Sequence, residues 1–248
     1  MTFASVFHRS ALRHYAPSER RPRHDRGVST GSARSVRHAR RALPSERAQC
    51  LAVVLAAFAG EAAARWVWPD DARYAECAPL LFGALLDLRL AAGEGWVSQM
   101  ETAGGVSGAG VAALSMWNPP GGLYDAGPDV ARGYDVASAQ FTAGERAAWK
   151  VFDEAMAVPA SAGPHWFLGV VATMPAAQGT GLGRAVTAPM LAAADRAGLP
   201  TYLETGSDIN VAIYRRWGFD VETEVQLPDG PLARLMRRGP HASGESRE

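Results

Sequence analysis

Hydrophobic residues recur at helical spacing in two segments of the first half of the chain. The first segment begins after Ser45, the expected N-cap, and ends at Gly60. Its apolar face is formed by Leu51, Val54, Leu55 and Phe58. The second segment, 72–95, is apolar at the same period and is closed by Gly93. Between the two helices, the stretch EAAARWVWPDD at 61–71 shows no helical period and is predicted to be a loop.

Short runs of β-branched and aromatic residues predict strands in the same half. The first is SVRHARRA at 35–42, and a hairpin with a glycine-rich turn follows at 95–117. The segment 118–164 is rich in Gly and Pro at its start and becomes helical around AGERAAWKVFDEAM. Only the second part of that segment is therefore expected to form regular structure.

The second half of the chain is more regular. It predicts a strand at 165–173, a helix stopped by Gly198, a strand at 201–206, a short helix at 209–218, and a hairpin with its turn at 228–231. Strand, helix and strand in this order form a βαβ unit with parallel strands. Because hairpins flank this unit on both sides, we expect a mixed sheet with helices on its faces, in an α/β (α+β) domain.

The composition fits one globular domain of ordinary size, or at most two small ones, with 248 residues of which 48% are hydrophobic. The longest apolar run, 50–60, is shorter than a membrane span, so we expect a soluble, cytoplasmic protein without a membrane partner. Cys50 and Cys77 are not in a CxxC spacing and are expected to be small buried side chains. No cluster of His, Cys, Asp and Glu has metal-ligand spacing, so no metal is predicted.

Charge is distributed unevenly, although the 25 basic and 25 acidic residues balance. Residues 1–41 contain ten arginines and two acidic residues, so the remainder is acidic and favours a cationic small molecule over nucleic acid. We interpret 1–34 as a disordered Arg-rich extension or a start codon assigned too far upstream. A transit peptide and a basic nucleic-acid-binding arm are weaker alternatives. The folded domain is then 35–240, followed by a disordered tail at 241–248.

One short stretch, QGTGLGRA at 178–185, combines dense glycines with the start of a predicted helix. Such glycines let backbone N–H groups close around phosphate oxygens, and a helix N-terminus adds unpaired N–H groups. A Walker loop needs a Lys after the glycines, which is missing here. A Rossmann fingerprint needs GxGxxG directly after the strand, whereas this loop has GxGxG after a five-residue gap.

Gln178, Gly181 and Gly183 match the pattern (Gln/Arg)-x-x-Gly-x-(Gly/Ala), and on this loop the chain resembles the GNAT superfamily of N-acetyltransferases. The resemblance spans roughly 35–238 and is strongest over 165–231. There, the WFL strand, the QGTGLG loop, PTYLET, NVAIY, the GF turn and VQLPDGP look like the branch that contains puromycin N-acetyltransferase. It implies a GNAT fold with a central mixed and splayed sheet, and acetyl-CoA as co-substrate without a metal.

The resemblance assigns cofactor-binding roles to two segments and one side chain. The backbone of Val171, Ala172 and Thr173 pairs with the pantetheine arm, and a backbone N–H near Ala172 is the expected oxyanion donor. The pyrophosphate is cradled by Gln178, Gly179, Thr180, Gly181, Leu182, Gly183 and Arg184. Asn210 is expected to hydrogen-bond the cofactor arm, although spacing alone also allows it to be a helix cap.

The catalytic candidates are Tyr214 and Glu204. In the family, the tyrosine at this place protonates the departing sulfur, and a phenol has an unperturbed pKa of about 10 and so can donate at neutral pH. Glu204 lies on the strand after the loop helix and can take the proton of the amine, directly or through water. Spacing alone is equally consistent with Tyr214 as a core aromatic and with Glu204 as a carboxylate that balances a nearby charge. His165 is a second candidate for the base.

Trp66, Trp96 and Trp117, with Trp68, are candidates for lining the acceptor pocket, and His165 is a further candidate there. The resulting prediction is acetylation of a primary amine on a small molecule, plausibly an antibiotic or a biosynthetic intermediate, by a monomer or homodimer. The loop at 60–71 differs from the antibiotic-modifying relatives in the part that helps form the acceptor pocket. The alternatives are a protein or peptide N-acetyltransferase and a non-catalytic acyl-CoA sensor.

The chain contains a single lysine, Lys150, and this bias is typical of a GC-rich bacterial genome.

Overall fold

The computed structural model describes residues 38–99, 110–121 and 128–241. The predicted extension at 1–34 and the predicted tail after His241 lie outside the described residues, as does the tip of the first hairpin. The helices are α1 (Arg47–Phe58), α2 (Ala62–Val67), α3 (Asp71–Ala91), α4 (Pro128–Ala139), α5 (Ala143–Ala155), α6 (Leu182–Ala197) and α7 (Asp208–Arg215). The strands are β1 (Arg40–Arg41), β2 (Gly95–Gln99), β3 (Val111–Asn118), β4 (Trp166–Thr173), β5 (Thr201–Thr205), β6 (Asp220–Gln226) and β7 (Leu232–Arg238).

The first helix begins one residue later than predicted, because its N-cap is Glu46. Pro44–Glu46 form a 3-10 turn, so the prediction of Ser45 as N-cap is wrong. Glu46 stabilises this entry instead, because its carboxylate accepts a hydrogen bond from the Leu43 N–H at 2.9 Å and two from Arg40. Proline fixes the backbone for a tight first turn, and the ion pair anchors the turn to β1.

The segment predicted as a loop at 61–71 contains the helix α2. Its three consecutive alanines have the highest helix propensity, but six residues are too few to show an apolar period. Glu61 caps this helix, since its Oε2 accepts from the Ala64 N–H at 2.8 Å. The helix α4 was also not predicted from the Gly- and Pro-rich sequence, whereas α5 begins with a capping box of Thr142 and Glu145.

Seven strands form one mixed sheet in the order β1-β2-β3-β4-β5-β7-β6. All neighbours are antiparallel except β4 and β5, which are parallel as the βαβ pattern predicts. The helices α1 to α3 pack on one face of the sheet, where α4 packs on α3 and α5 on α2, while α6 and α7 lie on the other face. Cys50 and Cys77 are free and fully buried in the first of these layers, as expected.

Candidate active site

The centre of the sheet opens between its two parallel strands. β4 has eight residues and β5 has five, yet they pair only through Trp166 with Thr201 and Phe167 with Tyr202. Immediately beyond these pairs, Gly169 has no partner on β3, because Leu168 pairs with Trp117 and Val170 with Met116. Gly169 is therefore the extra residue of a β-bulge, which bends β4 at the point where it leaves β5.

The glycine loop lies at the C-terminal end of β4 and runs into α6. Gly179 and Gly181 have φ of 76° and 83°, a left-handed conformation that glycine adopts without strain. Thr180 closes the loop from within, because its hydroxyl donates to the Ala177 carbonyl at 2.6 Å. Gly181 is the N-cap of α6, whose first N–H groups have no acceptor within the helix, so the loop has the form of an anion-binding site.

Gly183 brings the start of α6 close to β4 and to the end of α7. A Cβ at this position would lie 3.4 Å from Thr173 Oγ1, 3.8 Å from Val171 Cγ1 and 3.9 Å from the Trp217 ring. Arg184, the next residue, is exposed and its guanidinium lies 5.8 Å from the centre of the Trp217 ring. Desolvation by neighbouring groups and the nearby charge of Arg238 lower the pKa of the Arg184 guanidinium. The predicted pyrophosphate segment thus forms one continuous surface with the end of β4.

Tyr214 and Asn210 lie one turn apart on α7, as their spacing predicts. Tyr214 is buried against Trp217 and Phe219, with ring centroids 5.2 and 6.1 Å away. Asn210 is half-buried and its amide contacts Thr205 Oγ1 at 3.5 Å. Ser207, not Asn210, is the N-cap of α7, so the alternative role of Asn210 as the cap is wrong.

Glu204 lies on β5, and its side chain points to the face covered by α1 to α3. It alternates with Leu203, which packs with Tyr214 in the core on the opposite face. The Glu204 side chain is fully buried and interacts electrostatically with Arg89 of α3. The two predicted catalytic side chains, Glu204 and Tyr214, therefore lie on opposite faces of the sheet beside the same opening.

A third buried acid, Glu61, lies at the C-terminal end of β5. Its Oε2 caps α2, while its Oε1 lies 3.6 Å from the Cβ position of Gly206 and has no hydrogen-bond partner among the residues described. Burial raises the pKa of Glu61. Trp66 of the same helix donates to the Pro228 carbonyl at 3.0 Å, which brings the β6–β7 turn beside Glu61.

The other predicted acceptor residues are not brought together with Glu61 and Trp66. Trp117 is fully buried on the α6 face and donates to Ser115 Oγ, and Trp96 lies on that face beside Arg41. His165 precedes β4 at its paired end, about 26 Å along an extended strand from Thr173. Trp68 shares the Glu204 face with Trp66 but is fully buried against Tyr74 and Phe141.

No metal-binding group is found in the described ranges, where no three His, Cys, Asp or Glu side chains are gathered suitably for an ion. Within the same ranges, no helix has the length and apolar character needed to cross a membrane.

Solved structures share this fold over most of the chain. A Corynebacterium glutamicum protein described as histone acetyltransferase HPA2 and related acetyltransferase has a TM-score of 0.54 and 23% identity, covering 84% of this chain and 99% of that one. Mosquito arylalkylamine N-acetyltransferase like 5b has a TM-score of 0.53 and 11% identity, covering 82% and 99%. Arylalkylamine N-acetyltransferase 2 from Aedes aegypti has a TM-score of 0.53 and 8% identity, covering 84% and 100%. At these identities the likeness establishes the fold.

The mixed sheet that opens between parallel strands, with a glycine loop leading into a helix, defines an acyltransferase fold of the GNAT type. The sequence profile of the Acetyltransferase (GNAT) family matches residues 136–219, which contain β4, α6, β5 and α7. Over these residues the chain is similar to the GNAT acetyltransferases. The predicted fold class is thereby confirmed, whereas the branch that contains puromycin N-acetyltransferase is not confirmed and stays a prediction.

Sequence reasoning missed three features of this site. Arg89 lies within the run LLDLRLAA, where a charged residue between two leucines of a predicted helix was the available signal. Gly169 interrupts a β-branched strand, a pattern that indicates a bulge. Glu61 precedes three alanines and a helix-length segment, which is the pattern of an N-cap acid.

Proposed function

We propose that the protein transfers an acetyl group from acetyl-CoA to a primary amine of a small molecule, by direct transfer in a ternary complex. The observation that carries this proposal is the opening between β4 and β5, with Glu204 on one face of the sheet and Tyr214 on the other. A base on the acceptor side and an acid on the cofactor side are the two groups that amine acetylation needs.

The cofactor is proposed to bind along β4 and the glycine loop. Beyond Phe167 the edge of β4 that faces β5 is not paired with it, so Val171, Ala172 and Thr173 offer backbone groups to the amides of the pantetheine arm. The pyrophosphate then meets the loop and the first N–H groups of α6, with Arg184 adding a positive charge. Asn210 is proposed to contact the arm from α7.

The chemical step is an attack of the neutral amine on the thioester carbon. The amine nitrogen forms a bond to this carbon, its proton passes to Glu204 directly or through water, and the carbonyl oxygen becomes an oxyanion. A backbone N–H of the unpaired part of β4, near Ala172, stabilises that oxyanion. The carbon–sulfur bond then breaks, and Tyr214 donates its phenolic proton to the departing thiolate.

The acceptor is proposed to approach from the face that carries Glu204. Glu61 presents a buried carboxylate oxygen at the end of β5, and Trp66 lies beside the β6–β7 turn. An acid and an indole suit an ammonium group on a partly aromatic molecule. The helices α4 and α5 add a second layer outside α2 and α3, which favours an enclosed site over an open peptide groove. We propose an antibiotic or a biosynthetic intermediate as the acceptor, in the cytoplasm of a bacterium, and a monomeric or homodimeric enzyme.

Acetyl-CoA-dependent thiol release tests this proposal with a panel of puromycin, aminoglycosides, arylalkylamines, amino acids, polyamines and short peptides. Turnover with a small amine that is lost in Glu204→Gln supports the proposal. Turnover with peptides alone makes the protein or peptide acetyltransferase the better assignment. Binding of acetyl-CoA by calorimetry without turnover on any amine favours the acyl-CoA sensor.

A further inference from the structure

Glu61 caps α2 with only one of its two carboxylate oxygens. Oε2 accepts from the Ala64 N–H at 2.8 Å, whereas Oε1 is buried and has no hydrogen-bond partner among the described residues. Only 6% of the Glu61 surface is exposed, so the unmatched oxygen carries a free-energy cost. A helix cap needs one acceptor oxygen, and Asn, Asp, Ser and Thr are the side chains usually found there. Capping therefore accounts for Oε2 and leaves Oε1 without a function.

This second oxygen lies at the end of the opening between β4 and β5. The two strands stop pairing after Phe167 and Tyr202, so their C-terminal ends border the opening. Gly206 directly follows β5, and a Cβ at this position would lie 3.6 Å from Glu61 Oε1. Because side chains alternate along a strand, position 206 follows Glu204 on the same face, about 7 Å further along. The Glu61 carboxylate thus occupies the place of a side chain next to the proposed base.

The β6–β7 turn and Trp66 flank this carboxylate. The Trp66 indole donates to the Pro228 carbonyl at 3.0 Å and lies against Gly230, whose Cβ would be 2.5 Å from Trp66 Nε1. Pro231 of the same turn would lie 3.6 Å from a Cβ at Gly206. Gly206 is itself half-buried, and as a glycine it places no side chain over the carboxylate. An acid bordered by an indole and a proline ring suits an ammonium group on an apolar stem.

The cation nearest to Glu61 in sequence, Arg65, is directed elsewhere. It lies one turn along α2, where its guanidinium pairs with Asp71 and lies 5.2 Å from the centre of the Tyr74 ring. Burial raises the pKa of Glu61, as expected of an acid whose buried charge is not compensated. A buried carboxylate gains most from a cation that also donates a hydrogen bond to it. An ammonium group of a ligand meets both requirements.

We propose that Glu61 is a specificity-determining residue, which binds a second amino group of the acceptor through Oε1. The preferred acceptor is then a diamine, in which one amine is acetylated beside Glu204 while the other stays an ammonium ion and pairs with Glu61. Its two nitrogens are roughly 6 to 9 Å apart, from the spacing of the two positions along β5. This inference rests on the amine acetylation proposed above, but the binding of a diamine at Glu61 can be measured without any turnover.

The first experiment is calorimetry of the full chain, saturated with CoA, with α,ω-diamines from diaminopropane to diaminooctane and with monoamines of equal length. Wild type is expected to bind a diamine of intermediate length about 10- to 100-fold more tightly than its monoamine, the range for a hydrogen bond to a charged group. In Glu61→Gln, which keeps an oxygen to cap α2, this preference is expected to disappear. Equal affinities in wild type, binding of neither amine, or an unchanged preference in Glu61→Gln overturns the proposal.

Asp70→Asn is the matched control variant. Asp70 caps α3 as Glu61 caps α2, since its Oδ1 accepts from the Arg73 N–H at 2.9 Å, but Asp70 is exposed. The variant removes one negative charge from a helix cap and is expected to retain the full preference for the diamine. An equal loss of preference in both variants assigns the effect to the overall charge of the protein and overturns the proposal.

Thiol release from acetyl-CoA separates this inference from the proposed function. A kcat/KM that is higher for the diamine than for its monoamine, and falls to the monoamine value in Glu61→Gln, supports both. Equal kcat/KM values for diamines and monoamines support amine acetylation and overturn the role of Glu61. Diamine binding that depends on Glu61 without any thiol release overturns the proposed function and supports the binding site alone.

Discussion

Arg238 of β7 donates two hydrogen bonds of 2.7 Å to the carboxylate of Asp195 on α6. Arg238 is almost fully buried, and the Asp195 carboxylate also accepts from the His241 N–H at 2.9 Å. This bidentate pair ties the helix that follows the glycine loop to the last strand of the sheet. The loop is therefore held from behind, at the far end of the helix whose first turn faces the proposed pyrophosphate.

Asp195→Asn is expected to lower the free energy of unfolding by about 3 kcal/mol at neutral pH, because it leaves a buried guanidinium without its charge partner. Burial of Asp195 raises its pKa, but the hydrogen bonds from Arg238 and His241 outweigh this and the net pKa is lowered. The contribution of the pair is thus present above the unfolded-state pKa and is lost as the pH falls through the folded-state value.

Urea unfolding of wild type and Asp195→Asn between pH 3 and pH 7 tests this expectation. Glu154→Gln is the control, since its pair with Lys150 is exposed and 3.6 Å long and is worth about 0.5 kcal/mol at most. Equal stability losses in the two variants would contradict a special role of the buried pair.

Tyr214→Phe is expected to lower kcat by about 10- to 1000-fold, as removal of a general acid typically does, with little change in acetyl-CoA affinity. The ring contacts with Trp217 and Phe219 remain, so stability is expected to change little. Stopped-flow or steady-state thiol release gives kcat, and calorimetry gives the affinity. An unchanged kcat removes Tyr214 from the mechanism.

Gly179→Ala is expected to weaken acetyl-CoA binding by about tenfold or more, because an alanine resists the left-handed backbone at φ of 76° that shapes the loop. Gly198→Ala at the other end of α6 is the matched control. Gly198 also has a positive φ, 66°, and both positions have open space around the Cβ. Both variants lose a similar stability, but only the first changes the KM for acetyl-CoA. Equal KM values would count against the loop as the cofactor site.

Glu61→Gln is expected to raise the KM for the amine by about tenfold or more while leaving the KM for acetyl-CoA unchanged. Glutamine keeps an oxygen that can cap α2 at Ala64 and removes only the charge. Since burial raises the pKa of Glu61, ionisation opposes folding as the pH rises, and the variant is expected to be as stable as wild type at pH 7 or more so. A marked loss of stability with an unchanged amine KM would identify Glu61 as a helix cap alone.

The sequence was informative where a local signal decides the structure. Alternating apolar residues, helical periodicity and glycines at helix ends predicted most strands and the helices α1, α3, α5, α6 and α7. The helix α2 was missed because its six residues are too few to show a period, and the start of α1 because Pro44 and Glu46 compete with Ser45. The start of α1 depends on a side-chain contact between Arg40 and Glu46, which a local sequence pattern does not reveal.

The site was predicted in its parts but not in its arrangement. The loop glycines, Tyr214 and Glu204 were expected from the family resemblance, and the structure places them beside the opening of the sheet, while their roles stay predictions. Spacing could not show that the Arg89 guanidinium of α3 lies against the bulge of β4 at Gly169. Nor could composition separate Trp66 from Trp117, since an indole lines a pocket or fills a core according to which face of the sheet it joins.

The two outer strands of the sheet bear on how the protein behaves at high concentration. β1 pairs over only two residues, both arginines, and β6 carries Asp220, Glu222 and Glu224 with a register shift between Val221 and Thr223. Short, charged and bulged strands make poor templates for a strand of another molecule. Within the described residues, both edge strands of the sheet therefore disfavour pairing with a strand of another molecule. We expect the protein to aggregate less than one with a flat, apolar edge strand.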